Sequence, residues 1–129
     1  MLKNILLILS VIFLIISCGS PEEETKEEDI AAPWNAEISI NSDATSTSSK
    51  DVTLTLSATD NVGVTGYYLS SSNTDPASSA SGWVDVTAAE SYSGDAVSFT
   101  LNTDGCSSSN CYVYVYVWFK DAAGNVSSY

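Results

Sequence analysis

Apolar and polar residues alternate along much of the chain, most regularly between positions 51 and 59. Val52, Leu54, Leu56 and Ala58 occupy every second position, and threonine or serine fills every position between them. A period of two residues places all the apolar side chains on one face of an extended strand. The pattern therefore predicts a half-buried β-strand at 51–59.

Shorter segments of the same kind follow one another to the end of the chain. We predict further strands at 37–40, 64–70, 83–86, 96–101 and 112–120. Polar segments separate them, including turn sequences at 60–63 and 121–125 that are rich in Asp, Asn and Gly. No segment after the N-terminal region has a helical period. Short strands at this spacing predict an all-β antiparallel sandwich over residues 34–129.

The N-terminal region has a different pattern, with a hydrophobic run at 5–16 that follows Lys3 and ends in Ile15-Ile16-Ser17-Cys18. This ending resembles a bacterial lipobox, in which two aliphatic residues and a small residue precede the cysteine that receives lipid. The resemblance implies that residues 1–17 are a lipoprotein signal peptide and that Cys18 becomes the acylated N-terminus. The alternative, an uncleaved membrane anchor, needs about 20 apolar residues, more than this run supplies.

Residues 18–33 are predicted to form a flexible tether. The run from Pro21 to Asp29 is mostly acidic, so it repels itself and extends. It is either a plain spacer or an address, since acidic residues shortly after a lipidated cysteine resemble surface-export signals of some Bacteroidetes lipoproteins. Gly19 is not the aspartate that retains lipoproteins in the inner membrane of enteric bacteria. We therefore expect an extracytoplasmic, lipid-anchored protein on the outer membrane or cell surface.

The charge balance limits the partners. There are 16 acidic and 4 basic residues, giving a net charge of −12, and there is no histidine. Such a chain repels nucleic acid and anionic lipid, so the membrane link is expected from the acyl chains alone. Without a histidine base or a GxSxG nucleophile motif, we expect a non-catalytic protein that needs no cofactor.

Two cysteines remain besides Cys18. Cys106 and Cys111 bracket four residues, and an even pair in an exported chain predicts a disulfide. A zinc site would need further Cys or His ligands, and a redox CxxC motif has two intervening residues. A structural bridge across a short loop is the favoured interpretation.

Two sequence blocks together resemble bacterial Ig-like repeat domains. They are the TLSATDNVGV block at 55–64 with its preceding residues, and the FKDAAGNVS block at 119–127, with Trp83 between them. The resemblance covers about residues 35–129 and implies an Ig-like or fibronectin type III-like sandwich that serves as a spacer, adhesive or carbohydrate-associated module. It also implies a last strand after the second block, which here is short or missing. Three explanations stand: a truncated chain, cover from the tether or Trp34, or a strand added by a partner.

The same topology brings together the turns that end two strands. Asp60, Asn61, Asp121 and Asn125 would then lie at one pole, where their oxygen atoms are of the kind that binds Ca²⁺. The alternative is that each side chain caps its own turn by accepting hydrogen bonds from nearby backbone N–H groups.

An aromatic stripe is the second candidate site. If Val113, Val115, Val117 and Phe119 face the core, an opposite row of rings faces outward, made of Tyr68, Tyr112, Tyr114, Tyr116 and Trp118. Such a surface stacks on sugars or packs against a protein. The alternatives are cross-strand pairing that only stabilises the sheet, or cover by a further strand or domain.

From these observations we expect a lipid-anchored module that acts by surface contact or adhesion with a protein or glycan partner. A carbohydrate-binding module that uses the same rings is the second hypothesis. A remnant of a larger multidomain surface protein is the third.

Overall fold

A computed structural model describes residues 27–107 and 110–129. This part of the chain is all β, with four strands and no helix: β1 Trp34–Ile40, β2 Asp51–Ser70, β3 Val84–Thr100 and β4 Tyr116–Asp121. The predicted signal peptide, the predicted lipidation site Cys18 and most of the predicted tether lie outside the described residues. Within those residues, no helix has the length and apolar character needed to span a membrane.

Strand β2 pairs with each of the other three strands, always antiparallel. Leu56, in its first half, lies between Ile38 of β1 and Gly94 of β3. Along the second half of β2, the neighbouring strand is β4 instead of β1, and Tyr68 of β2 pairs with Trp118 of β4. All four strands therefore form one sheet that is organised around β2.

The sheet bends sharply near the middle of β2. Tyr92 of β3 pairs with Ala58 in the first half of β2. Its ring nevertheless lies 6.2 Å from the ring of Tyr67 in the second half, and 5.8 Å from that of Phe119 in β4. In a straight strand, Ala58 and Tyr67 would be about 30 Å apart. The two halves of the sheet must therefore face each other.

The bend lies at the predicted turn 60–63. Asp60 Oδ1 accepts hydrogen bonds from the backbone N–H groups of Val62, at 3.0 Å, and Gly63, at 2.6 Å. Gly63 has φ +149°, a conformation that other residues rarely adopt. The pairing with β3 shifts register between Thr59 and Val64. The turn is confirmed, but the two strands predicted around it are one strand, because the pairing with β3 resumes beyond the bend.

The hydrophobic core lies between the facing halves. The predicted inward row of β2 is confirmed: Leu54 and Leu56 are fully buried, and Val52 and Ala58 are nearly so. The other buried members of the core are Val64, Tyr67, Leu101, Val117 and Phe119. The alternation along the first half of β2 therefore gives the correct face, as expected for a strand with one buried side.

Two predicted strand boundaries are wrong. The two strands predicted at 83–86 and 96–101 are parts of the single strand β3, which runs only from Val84 to Thr100, because residues between them also pair with β2. Strand β4 begins at Tyr116 and not at Tyr112. Its first partner is Ser70, the last residue of β2, so the residues before Tyr116 have no position on β2 to pair with.

The segment after the last turn pairs only briefly. Val126 forms an isolated antiparallel bridge with Lys120, and Ser127 N–H donates to the Phe119 carbonyl at 2.9 Å. Ser127 Oγ accepts from Phe119 N–H at 2.9 Å. The short last strand that the sequence predicts is therefore a single bridge beside β4 in the described residues.

Candidate functional site

The disulfide prediction is confirmed. Cys106 and Cys111 are bonded, and their Cα atoms lie 5.7 Å apart. The bridge lines a shallow groove together with Ser71, Asn102, Tyr112 and Tyr114, among others. A cystine thus fixes the chain just before the tyrosines that the sequence places on the aromatic stripe.

The aromatic stripe does not form one exposed row. Trp118 faces away from the core, as predicted, but it is fully buried, so the expectation of an exposed ring is wrong. Its indole Nε1–H donates to Asp75 Oδ1 at 3.0 Å. The rings of Tyr129 and Tyr68 close over it, with centroids 5.6 and 6.1 Å away. Trp118 therefore anchors a second small cluster on the outer side of β4.

The segment between β2 and β3 covers this cluster. Trp83 packs edge-on against Tyr68 at 5.5 Å, and its indole N–H donates to the Ala77 carbonyl at 3.0 Å. The Lys120 ammonium lies 5.1 Å from the centre of the Trp83 ring and 3.3 Å from Asp85 Oδ1. Sequence reasoning missed this cover because Asp75 and Ala77 come from a polar loop with no pattern of its own.

Only one end of the stripe is strongly exposed. Tyr112 is 90 % and Tyr114 65 % exposed. Tyr114 stacks on the half-buried Tyr116 at 6.3 Å, and Tyr116 leads into the Trp118 cluster. The accessible aromatic surface is therefore Tyr112 and Tyr114 beside the cystine, which we call the tyrosine edge.

The other candidate site, which we call the acidic pole, includes a residue that the sequence analysis did not predict. Carboxylate oxygens of Asp60 and Asp121 lie within 4.8 Å of each other and of a carboxylate oxygen of Asp29. Asp29 belongs to the acidic run that the sequence assigns to the tether. It was missed because nothing in a run of like charges distinguishes the one residue that folds back onto the domain.

The predicted turn caps are present at this pole. Asp121 Oδ1 accepts from the backbone N–H groups of Gly124, at 2.7 Å, and Asn125, at 2.9 Å. Asp60 Oδ1 plays the same part in the bend of β2. Capping therefore uses one oxygen, Oδ1, of each of these two carboxylates.

The two asparagines act as hydrogen-bond donors at the acidic pole. Asn61 Nδ2 donates to Asp29 Oδ1 at 3.1 Å. Asn125 Nδ2 donates to the Asp29 carbonyl at 3.0 Å and to Asp121 Oδ2 at 2.6 Å. The sequence predicts both as oxygen ligands, but their amides instead hold Asp29 in place, and Asp29 supplies the third carboxylate.

The electrostatics of the acidic pole are unfavourable as they stand. Asp60 and Asp121 are each only 2 % exposed, and Asp60 Oδ2 is buried without a hydrogen-bond partner. Within residues 27–107 and 110–129, Lys120 forms the one salt bridge, and its partner is Asp85. Two carboxylate charges 4.8 Å apart, the limit within which the oxygens of this cluster lie, would repel by roughly 3–4 kcal/mol at an effective dielectric constant near 20. A positive charge bound between these carboxylates would offset their repulsion.

Comparison with protein-family models, with curated proteins and with solved structures found no match. The sites above therefore rest on the geometry of this chain alone.

Proposed function

We propose that the chain is a non-catalytic, lipid-anchored, extracytoplasmic module of Ig-like type that acts by surface contact or adhesion. Support for the anchor comes from the lipobox-like sequence before Cys18 and the acidic run after it. Support for an Ig-like sandwich over residues 34–129 comes from an all-antiparallel sheet whose two halves enclose a single core. Fold alone does not define a function, so the proposal depends on the surface.

The observation that carries the contact function is the tyrosine edge. Tyr112 and Tyr114 are large, strongly exposed rings on a segment that the Cys106–Cys111 bond holds at one end. Exposed tyrosines on a constrained segment offer a large contact area at a small cost in side-chain entropy. Trp118 is excluded from this surface because it is fully buried, and Tyr68 and Tyr116 are only partly exposed.

A carbohydrate partner is the second candidate. The rings of Tyr114 and Tyr116 stack with an interplanar angle of 27°, and Tyr112 and Tyr114 line the same groove. Aromatic faces of this kind pack against the apolar faces of sugar rings. Polar side chains in the adjoining groove, including Asn102 and Asp104, are placed to hydrogen-bond sugar hydroxyls.

The anchor is tested with Cys18→Ser. The unchanged chain is expected in the detergent phase after metabolic labelling with a fatty acid, and the variant is expected unlabelled in the aqueous phase. Labelling of the variant at the unchanged level would refute lipidation at Cys18.

The contact surface is tested with the double variant Tyr112→Ala and Tyr114→Ala. Trp34→Ala is the control, because Trp34 is 44 % exposed on a different strand. Cells that display the double variant are expected to lose adhesion, whereas the control keeps it at equal surface levels. Binding of the purified chain to a glycan array, lost in the double variant, would identify the partner as carbohydrate. Equal adhesion by all three chains would refute the proposal.

A further inference from the structure

We propose that Asp29, Asp60 and Asp121 bind one divalent cation of the calcium type, and that the ion fastens the segment before β1 to the acidic pole. This proposal does not depend on the tyrosine edge. It concerns how the domain is held by its tether and not how it contacts a partner.

The first argument is the donor set. All three side chains offer hard carboxylate oxygens, and there is no histidine in the chain and no thiol in the cluster. Calcium prefers six to eight oxygen ligands at about 2.3–2.6 Å, partly supplied by water. Two oxygens on the same ion are therefore at most about 5 Å apart. The oxygens of Asp29, Asp60 and Asp121, all within 4.8 Å of one another, meet this limit.

The second argument is the unused oxygen of Asp60. Its Oδ1 caps the bend in β2, whereas its Oδ2 is buried and has no hydrogen-bond partner. Buried carboxylate oxygens are rarely left unpaired, since each would lose its hydration without compensation. A cation bound by the three clustered carboxylates would supply both a partner for this oxygen and a compensating charge.

The third argument is the position of Asp29 in the chain. It precedes β1 by a few residues, and Asn61 and Asn125 hold it against turns that lie 32 and 96 residues further along. A shared ion would join the same three segments by stronger bonds. Without it, mutual repulsion of the carboxylates opposes the asparagine contacts, so the junction between tether and domain should loosen when calcium is removed.

The test is calcium titration of the full-length chain, purified in detergent and stripped with a chelator. We expect one ion per chain with a dissociation constant of about 10⁻⁴–10⁻³ M, the range of extracellular calcium modules. Magnesium is expected to bind more weakly, because it requires shorter bonds in a stricter octahedral geometry. An absence of binding up to about 10 mM calcium, well above that range, would overturn the proposal.

Variants locate the site. Asp60→Asn keeps an oxygen to cap the bend but removes the charge, and it is expected to abolish binding. Asp29→Asn lies outside the sheet, so the fold should remain, and it is expected to weaken binding at least tenfold. Asp95→Asn is the matched control, since Asp95 is an exposed carboxylate on β3. Equal affinity for Asp29→Asn and Asp95→Asn would contradict the assignment.

Hydrogen–deuterium exchange measures the fastening itself. In the unchanged chain, calcium is expected to slow exchange of the peptide that covers residues 29–36. In Asp29→Asn the same peptide should exchange equally fast with and without calcium. Slowing of similar size in both chains would show that the ion acts elsewhere and would refute the role of Asp29.

Discussion

Removing the carboxylate of Asp75 is expected to destabilise the protein although Asp75 lies in an exposed loop. The substitution Asp75→Ala deletes the acceptor for the indole N–H of Trp118, which is 3.0 Å away. Trp118 is fully buried beneath Tyr68 and Tyr129, so a water molecule that replaced the carboxylate would have to enter the edge of this cluster. An unsatisfied buried donor costs about 1–3 kcal/mol.

This cost is a large share of the total for a domain of this size, whose free energy of unfolding is typically about 5–15 kcal/mol. At about 4–8 °C per kcal/mol, the midpoint of thermal unfolding should fall by at least about 4 °C. Asp75→Asn keeps an acceptor oxygen and should lose less. Asp95→Ala, on the exposed side of β3, should change the free energy of unfolding by no more than about 0.5 kcal/mol.

A double-mutant cycle measured by urea denaturation isolates the bond. Trp118→Phe removes the donor, so Asp75→Ala should cost almost nothing in that background. The reasoning would be refuted if Asp75→Ala were as stable as the control, or if it cost the same with and without the indole N–H.

Three further substitutions test the bend in β2, the packing of the core and the ionisation of Tyr92. Gly63→Ala should lower the free energy of unfolding by about 1–3 kcal/mol, because φ is +149° and the new Cβ would lie 3.2 Å from Ala89 N; a neutral result in thermal unfolding would contradict the strain. Leu56→Ala, at a fully buried position, should cost about 2–5 kcal/mol in urea denaturation, and a loss below 1 kcal/mol would mean that the core collapses around it. Burial, and secondarily the neighbouring Tyr67, raises the pKa of Tyr92 above 10.0. As pH rises, the unfolded chain therefore loses the Tyr92 proton before the folded chain does. The contribution of protonated Tyr92 to the free energy of unfolding is complete below about pH 10 and is lost as pH rises through the higher folded pKa. Tyr92→Phe should reduce this alkaline loss in unfolding curves recorded across that range, and an unchanged pH profile would exclude the effect.

The sequence predicts those parts of the fold that depend on local pattern. The alternation from Val52 to Ala58 identifies the buried face of β2, and the Asp60–Gly63 turn has the side-chain cap that its composition suggests. Both follow from interactions between residues close in the chain. The sequence does not show that β2 continues through the bend, because that depends on pairing with β3.

The candidate sites show the same division. The pole that joins Asp60 to Asp121 follows from the predicted topology, and the structure brings the two together. Asp29 and Asp75 could not be predicted, since their partners lie 96 and 43 residues away and neither belongs to a periodic segment. The prediction that Trp118 is exposed is wrong for the same reason. An outward direction on a strand does not reveal what else in the chain covers that face.

The central position of β2 has a consequence for the order in which the chain folds. Strands β1 and β3 flank β2 in sequence and can pair with it as soon as the intervening loops close. Strand β4 must return from much further away, as the contact between Thr65 and Lys120, 55 residues apart, illustrates. Because closing longer loops costs more entropy and delays pairing, docking of β4 should be the late step. Until that step, the core lacks Phe119 and the second half of β2 has a free edge, so a newly synthesised chain is most exposed to misassociation just before β4 docks.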